Sequence, residues 1–454
     1  MKQKPIPRND DASLRSEAQQ GAAQATALLS TQVLDATTAR DYLRANAKPP
    51  HEWRVGLEFE VIGFDSLSQQ RIDQRQVAAL LAAFARCGGV PQREGERVVA
   101  MRMPYGDITL EPGGQIELSA LPHHHLAGVA TALHMFLDQL AEFGSELRME
   151  FTALGFDPLR RLDEQFWIAK RRYEIMRPYL RRQGGHAWDM MTRTAALQIS
   201  VDYGDEEDMA RKYVLGNRLG PIVAAMFANS PFADGRVTGL KSTRYASWLD
   251  TDEHRTGPGF GTCEETFDLD AYLAAVLDVP LLFLNRKGSL QDVAGKRLRD
   301  IDGAAAHDFP DLLSMIFTEA RIRQYVEMRS ADSGGFESAL ALSALWKGLL
   351  YDPAALRAAL QAAPRLDPSA FRALQMAVAR DALAAVAEGV AVLDVAREVL
   401  ALARAGLERI APDEAQHLDA LSQRVIIDGL APADILLRDS GADARRATRL
   451  SRVA

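Results

Sequence analysis

The sequence predicts an α+β protein built on a mostly antiparallel β-sheet. Apolar and polar residues alternate in four strand-like segments, and helices and long loops separate these segments instead of regular βαβ units. No G-x-G-x-x-G follows a strand and no G-x-x-x-x-G-K-[ST] occurs, so neither a Rossmann fold nor a P-loop is supported. The predicted strands span residues 54–62, 107–119, 193–203 and 323–330.

Helical periodicity predicts helices over residues 76–86, 126–147 and 208–228, the last interrupted near Gly220-Pro221. Beyond residue 336 the chain is rich in alanine and reads as helical, which is typical of segments that support and cover a sheet. The expected organisation is an N-terminal arm (1–50) with a short helix near 38–45, a catalytic region (51–335) and a helical region (336–454) packed on the same domain.

The composition is that of a soluble globular protein. The chain has 454 residues, 47% of them hydrophobic and 25% charged, with a formal net charge of -8. This charge argues against general nucleic-acid binding but allows a basic pocket for a small anion. No apolar run reaches the ~20 residues that span a bilayer, and no secretory signal is evident, so no membrane partner and a cytoplasmic location are expected. Cys87 and Cys263 are predicted to be reduced thiols, with a regulatory disulfide as the alternative.

Acidic and amide side chains recur two residues apart within the predicted strands. Alternate residues of a strand share a face, so each such pair is presented to the same side. Glutamate inside a strand is disfavoured by propensity and needs compensation. The residues concerned are Glu58 and Glu60, then Glu111, Gln115 and Glu117, then Gln198, and finally Glu327 with Arg329.

Two interpretations of this pattern are possible. Half-exposed antiparallel strands alternate polar and apolar residues by default, and one pair alone is explained in that way. Four strands that carry almost exclusively Glu and Gln favour a carboxylate face balanced by cations, as in a multi-metal site that handles phosphate. The glycines of Pro112-Gly113-Gly114 predict either a turn or a backbone cradle beside phosphate or metal.

A second cluster lies in a loop-like segment at residues 242–257, which holds Arg244, Trp248, Arg255 and several acids. Arginine forks suit carboxylates and phosphates, so this cluster is a candidate for binding an amino-acid substrate. A charged surface loop is the alternative. The basic run Lys170-Arg171-Arg172 is equally compatible with an anion pocket and with a solvated surface.

These motifs together resemble the glutamate–cysteine ligases of the plant and proteobacterial type, in order along about residues 53–440. The resemblance rests on Gly56-x-Glu58-x-Glu60, Glu111-Pro-Gly-Gly-Gln-Ile-Glu-Leu-Ser119, Arg172-Tyr-Glu-Ile-Met176, Asp189-Met-Met-x-Arg-Thr194, Phe227-Ala-Asn-Ser-Pro-Phe232, Trp248-x-Asp-Thr-Asp-x-x-Arg-Thr-Gly257 and Glu327-Met-Arg-x-Ala-Asp332.

The resemblance implies a glutamine-synthetase-like catalytic sheet and ATP-dependent joining of L-glutamate to L-cysteine, the first step of glutathione biosynthesis. ATP and Mg²⁺ are the implied cofactors, and carboxylate-held Mg²⁺ would neutralise the transferring phosphoryl group. The implied metal ligands are Glu58, Glu60, Glu111, Glu117 and Glu327. The implied catalytic residues are Arg329, Arg193 and Arg255. ATP would contact Arg329, Gln198 and Arg255, and the substrates would contact Arg193, Arg244, Trp248 and Gln115.

Three other functions remain open at this stage. A relative could join glutamate to a different amine, because the segments near Leu121 to His125 and Lys241 to Thr243 depart from the family pattern. A glycosidase could use paired carboxylates, although this leaves the arginine cluster unexplained. A non-catalytic relative would be expected to lose acids that this chain keeps. The protein is expected to be a monomer or a non-covalent homodimer.

Overall fold

The structure is a computed structural model that describes residues 34–286 and 288–454. Residues 1–33 of the predicted N-terminal arm lie outside the described residues. The short helix predicted near 38–45 is confirmed as Ala36–Ala45, and its N-terminus is capped by Asp35, whose side chain accepts a hydrogen bond of 2.8 Å from the backbone N–H of Thr38.

A large antiparallel sheet organises the molecule. Its strand order is β12-β13-β7-β1-β5-β4-β3-β2, with β6 paired to the far half of β1, and every pairing is antiparallel. The α+β class is therefore confirmed. The strands are β1 (Val55–Asp65), β2 (Val90–Glu94), β3 (Arg97–Met103), β4 (Gly106–Leu110), β5 (Ile116–Ala120), β6 (Met149–Thr152), β7 (Ala196–Val201), β8 (Phe232–Ala233), β9 (Arg236–Val237), β10 (Phe283–Arg286), β11 (Ser289–Asp292), β12 (Ala320–Ile322), β13 (Val326–Asp332), β14 (Val386–Ala387) and β15 (Val390–Ala391).

Helices cover one face of this sheet and form most of the chain beyond residue 336. They are α1 (Ala36–Ala45), α2 (Gln74–Arg86), α3 (Leu126–Leu147), α4 (Arg171–Leu180), α5 (Ala187–Arg193), α6 (Glu206–Phe227), α7 (Thr243–Leu249), α8 (Leu269–Leu277), α9 (Phe309–Ser314), α10 (Phe336–Tyr351), α11 (Pro353–Ala362), α12 (Pro368–Asp381), α13 (Val392–Ile410), α14 (Asp419–Ser422), α15 (Pro432–Ser440) and α16 (Ala444–Leu450). None of the helices in the described ranges is both long and apolar enough to cross a bilayer. The proposed boundary at about residue 335 stays a prediction.

The sequence predicted a break at Gly220-Pro221 that the structure does not have. Helix α6 runs without interruption through both residues to Phe227. Its second half is buried on every side, so packing outweighs the backbone hydrogen bond that proline cannot donate. The segment 242–257 was likewise expected to be a loop, but it begins with helix α7, because Ser242 caps its N-terminus through the backbone N–H of Tyr245.

The predicted strand 107–119 is two strands, β4 and β5, joined by a turn at Glu111–Gln115. The backbone N–H of Gly114 donates 2.8 Å to the carbonyl oxygen of Glu111, and its φ of +79° suits glycine. A side chain at Gly113 would meet the carbonyl oxygen of Thr192 at 2.1 Å. The turn interpretation is confirmed, and the close approach that Gly113 permits is to another part of the chain.

The apolar face of β1 builds the core beneath the site. Leu57, Phe59 and Val61 are at most 1% exposed, and the ring of Phe59 meets that of Phe136 on α3 at a centroid distance of 6.2 Å. Because side chains alternate along a strand, burying these residues turns Glu58 and Glu60 to the opposite face. The hydrophobic core thus fixes the direction of the acidic side chains.

Candidate active site

A cavity of about 300 Å³ lies on the polar face of the sheet. It is bordered by β1, β5, β7, the turn after β4, and the N-terminus of α4. Six of the predicted acidic and amide residues line it together, which brings three separate stretches of sequence to one place. These residues are Glu58, Glu60, Glu111, Gln115, Glu117 and Gln198.

The strand register explains why these side chains converge. Glu60 lies opposite Glu117 on β5, and Glu58 lies opposite Gln198 on β7. Side chains of directly opposed residues are close neighbours on one face of the sheet. The shared face predicted from strand alternation is therefore present, with β1 at its centre.

Hydrogen bonds hold two of the carboxylates in place. Glu60 accepts 3.1 Å from the backbone N–H of Ala196 and 3.4 Å from the side-chain amide of Gln198. Glu117 accepts 2.9 Å from the hydroxyl of Thr109 and 2.8 Å from that of Ser119. These donors orient the carboxylates but do not neutralise them, because none of the donors is a cation.

The surroundings of three of the carboxyl groups disfavour their charged forms. Burial raises the pKa of Glu58 and Glu60 well above 4.5, and neighbouring carboxylates, Glu117 for Glu58 and Glu111 for Glu60, raise it further. Burial and then Glu117 also raise the pKa of Glu111. Such mutual repulsion is relieved when a cation binds between the groups.

Glu327 differs from the other acids because arginines surround it. It is fully buried and does not line the cavity; it lies beneath it on β13, opposite Arg321 on β12. Burial would raise its pKa, but Arg321, Arg329 and Arg323 outweigh this and lower the pKa to about 2. The structure therefore places Glu327 as a permanently charged anchor for arginines.

Arg329 is presented to the cavity by this anchor. Its Nη1 donates 2.6 Å to Oε1 of Gln198 and 3.2 Å to a carboxylate oxygen of Glu327. Its guanidinium also lies 5.6 Å from the ring centroid of Trp248, which forms a wall of the cavity. The buried Arg244 donates 2.9 Å to the carbonyl oxygen of Arg329, so it braces the same strand.

Four cations that line the cavity were not among the site residues predicted from the sequence. They are Lys170, Arg172, Arg321 and Arg323. Lys170 donates 2.8 Å to the carbonyl oxygen of Leu110, next to Glu111. Arg321 and Arg323 share the odd-numbered alternation of Glu327 and Arg329, so extending that pattern upstream would have found them. Lys170 and Arg172 belong to a basic run, and that run fitted a solvated surface as well as an anion pocket.

The cavity does not include two of the predicted arginines, Arg193 and Arg255. Arg193 forms ion pairs with Asp189 at 3.0 Å and Asp234 at 2.8 Å. Arg255 is fully buried and pairs with Asp252 at 2.6 Å. Acids on neighbouring turns already balance the charges of both arginines, and the catalytic and binding roles expected for them stay predictions.

The donor set suits a hard divalent cation, which prefers carboxylate and amide oxygens. The Oε1 atom of Gln115 is buried without a hydrogen-bond partner among the described residues, while its Nε2 donates 2.8 Å to the carbonyl oxygen of Thr194. Within residues 34–286 and 288–454, no three acidic, histidine or cysteine side chains form a ready-made metal cluster. Mg²⁺ commonly uses one or two carboxylates together with water and phosphate oxygens, so such a cluster is not required.

A second, larger cavity of about 640 Å³ adjoins the first at Glu58. Its lining includes His51, Arg54 and Tyr325, at the opposite end of the polar face. The hairpin between β12 and β13 borders both cavities, with Arg323 in the first and Tyr325 in the second. Together the two cavities form one elongated trough with carboxylates at its middle.

The face thus combines a candidate cation site with arginines that suit phosphate and carboxylate groups. The model of glutamate–cysteine ligase family 2 matches residues 54–451, and the chain belongs to that family. The expectation of a glutamate–cysteine ligase, the enzyme of the first step of glutathione biosynthesis, is thereby confirmed.

Relatives agree with this assignment, and a solved structure shares the fold. The chain is 34% identical over 422 residues to the chloroplastic glutamate–cysteine ligase of Brassica juncea, covering 90% of this chain and 82% of the relative. Identity is also 34% to the enzyme of Medicago truncatula, with 90% and 83% covered. The fold resembles a crystal structure of the Francisella tularensis glutamate–cysteine ligase in complex with AMP, with a TM-score of 0.53, 12% identity and 88% of each chain covered.

These relatives correct one expectation from the sequence. A cytoplasmic location was expected, but the curated relatives are named as chloroplastic enzymes, so that expectation is wrong. The absence of a secretory signal could not support it, since the interior of an organelle also holds soluble chains.

The two cysteines are free thiols, with Cys87 exposed and Cys263 partly buried.

Proposed function

We propose that the trough carries out Mg²⁺-dependent phosphorylation of the γ-carboxylate of L-glutamate by ATP, followed by attack of the amine of L-cysteine. The observation that carries this proposal is that Glu58, Glu60 and Glu111 line the same cavity as several arginines. The pKa of each of these three carboxyl groups is raised. Phosphoryl transfer between two anions needs positive charge at the transferring group and alignment of the reactants.

The carboxylates supply the cation site. Glu58, Glu60, Glu111 and Glu117 would hold Mg²⁺, and the ion would supply positive charge to neutralise phosphate oxygens. Glu327 does not ligate metal in this scheme, because Arg321 and Arg329 already occupy its carboxylate. It fixes the direction of these arginines instead.

ATP lies along the trough. Its adenosine occupies the larger cavity beside Tyr325, and its phosphates pass Glu58 to reach Arg321, Arg323 and Arg329. These three arginines stabilise charge on the γ-phosphoryl group as it transfers. Arg329 is the best placed, since Gln198 and Glu327 fix its guanidinium from two sides.

Glutamate occupies the opposite end of the cavity. Lys170, Arg172 and Arg244 receive its α-carboxylate, and the unpartnered Oε1 of Gln115 accepts from its ammonium group. The Nε1 atom of Trp248 is likewise buried without a partner in the described chain and is available to an incoming substrate.

Two bond changes complete the reaction. An oxygen of the γ-carboxylate attacks the γ-phosphorus, and ADP leaves with the electrons of the broken P–O bond. The amine nitrogen of cysteine then attacks the acyl carbon, phosphate leaves, and the amine loses one proton.

Phosphate release tests the proposal directly. Purified protein is incubated with ATP, Mg²⁺ and glutamate, with and without cysteine, and γ-glutamylcysteine is identified by mass spectrometry. We expect one phosphate for each γ-glutamylcysteine and no sustained release without an amine. Alanine and 2-aminobutyrate serve as alternative amines. Release that is independent of cysteine, or faster with another amine, contradicts the proposed acceptor.

A further inference from the structure

A third concave surface lies on the far side of the wall that carries Glu111. It is a groove of about 360 Å³ between α2, the β2–β3 hairpin and residues 168–169, named here the α2 groove. Its floor consists of Leu81, Met101, Leu110 and Ile168, which are almost fully buried. Volume and apolar lining are those of a small-molecule site.

One wall of the α2 groove is made of small side chains. Ala78, Ala82 and Ala85 follow one another at helical spacing along α2, line the groove and are exposed. Larger residues at these positions would fill the space. Val98 and Val99 of β3 form the opposite wall and are half-buried. The α2 groove therefore exists because the side chains along this face of α2 are small.

The rim of the α2 groove is basic. Arg93 and Arg97 belong to its lining and are exposed on the β2–β3 hairpin. Arg93 donates 2.8 Å to the carbonyl oxygen of Glu96, which leaves the other guanidinium nitrogens of Arg93 for a ligand. The nearby Glu94 accepts from the backbone N–H of Arg171 at 3.0 Å. Two arginine forks beside an apolar floor suit an anionic head with an apolar tail.

The backbone of Leu110 connects the α2 groove with the catalytic cavity. The side chain of Leu110 belongs to the groove floor. Its carbonyl oxygen accepts 2.8 Å each from Lys170 and from the hydroxyl of Tyr173, both of which line the cavity. The next residue is Glu111. A shift of Leu110 would therefore change the positions of three groups in the cavity.

We propose that the α2 groove binds a small amphipathic carboxylate, and that its occupancy alters glutamate binding through Leu110. The tail of this ligand lies on the apolar floor, and its carboxylate lies between Arg93 and Arg97. Binding at the groove does not depend on the proposed ligation, whereas the effect on glutamate does.

Calorimetric titration of the full chain with decanoate, below its critical micelle concentration and without ATP, tests the site. We expect one saturable site. Ala82→Phe fills the groove and should weaken binding about tenfold or more, as should the Arg93→Gln/Arg97→Gln double variant. The controls are Ala401→Phe on an exposed face of α13 and Arg445→Gln at an exposed position of α16, which should bind like the parent protein.

Three outcomes overturn the proposal. The first is the absence of saturable binding, and the second is equal affinity in Ala82→Phe. The third is a lower mass of Ala82→Phe than of the parent in sedimentation without decanoate binding to either, which would assign the groove to a second copy of this chain.

Steady-state assays then test the coupling: decanoate should change KM for glutamate in the parent but not in Ala82→Phe, and an unchanged KM contradicts the role of Leu110. Calorimetry needs no turnover, so failure of the site and failure of the ligase proposal are distinguishable.

Discussion

Arg329 and Gln198 form one hydrogen-bonded unit across two adjacent strands, with Nη1 of the guanidinium 2.6 Å from the amide oxygen. Glu327 holds the same nitrogen from below. The arginine is therefore fixed before substrates arrive, which lowers the reorganisation needed at the transition state.

Replacing Gln198 with leucine should release Arg329 on one side. We expect kcat to fall about ten- to a hundredfold while the melting temperature changes little, because shape is kept and a supporting contact is lost. Steady-state kinetics measure the effect. Gln183→Leu, at an exposed position, is the control. An unchanged kcat in Gln198→Leu would show that Glu327 alone positions the guanidinium.

Glu117→Gln should reduce turnover on the order of a hundredfold or more, because it removes a negative charge from the cation site. The hydroxyls of Thr109 and Ser119 can still donate to the amide oxygen, so circular dichroism should report an intact fold. Glu253→Gln, at an exposed site, should retain full activity. Normal turnover in Glu117→Gln would remove Glu117 from the proposed metal site.

Mg²⁺ binding should release protons. Burial raises the pKa of Glu58 and Glu60, so these groups hold protons in the metal-free protein more readily than ordinary carboxyls do. Titrations of Mg²⁺ in buffers of different ionisation enthalpy count the protons released. Glu60→Gln should release fewer. Identical heats in all buffers would show that these carboxyls are already charged before the metal binds.

The lowered pKa of Lys212 predicts that the free energy of unfolding rises with pH in the alkaline range. Burial lowers its pKa from 10.5 to about 8 in the folded protein, although Asp208 lies 2.8 Å away. Between these values the unfolded chain binds more protons than the folded chain, so the free energy of unfolding increases with pH, by on the order of 3 kcal/mol at most. Urea denaturation from pH 8 to 10 should show this slope, and Lys212→Met should flatten it. Equal slopes in both proteins would contradict the assignment to Lys212.

Arg255 should prove to be structural. It is fully buried against Asp252, so Arg255→Met would leave an uncompensated buried carboxylate and lower the free energy of unfolding by about 3–5 kcal/mol. The Arg255→Met/Asp252→Asn double variant should recover part of that loss, and its KM values should stay close to those of the parent. A large rise in KM for ATP in a well-folded double variant would return Arg255 to the binding site.

Strand alternation predicted the polar face well because burial of Leu57, Phe59 and Val61 leaves Glu58 and Glu60 no other direction. It could not separate a ligand from an anchor. Glu327 has the same local pattern as Glu60, and only its pairing with Arg321 across β12 and β13 makes it an anchor. The burial of Arg255 and its pairing with Asp252 could not be predicted for a similar reason, since both are set by tertiary packing.

The position of β1 between β5 and β7 also has a consequence for how the enzyme forms. Glu58 and Glu117 meet through the pairing of β1 with β5, but Arg329 joins them only after β7 has paired with β1 and β13 with β7, each across more than one hundred residues of chain. Contacts of such long sequence separation form late, because their closure entropy must be met before they stabilise anything. During synthesis, the carboxylates of β1 and β5 can therefore pair before the strand that carries Arg329 has emerged, and the arginine joins them only afterwards. Catalytic competence should appear in one step with the last central strand, and no shorter intermediate should show partial activity.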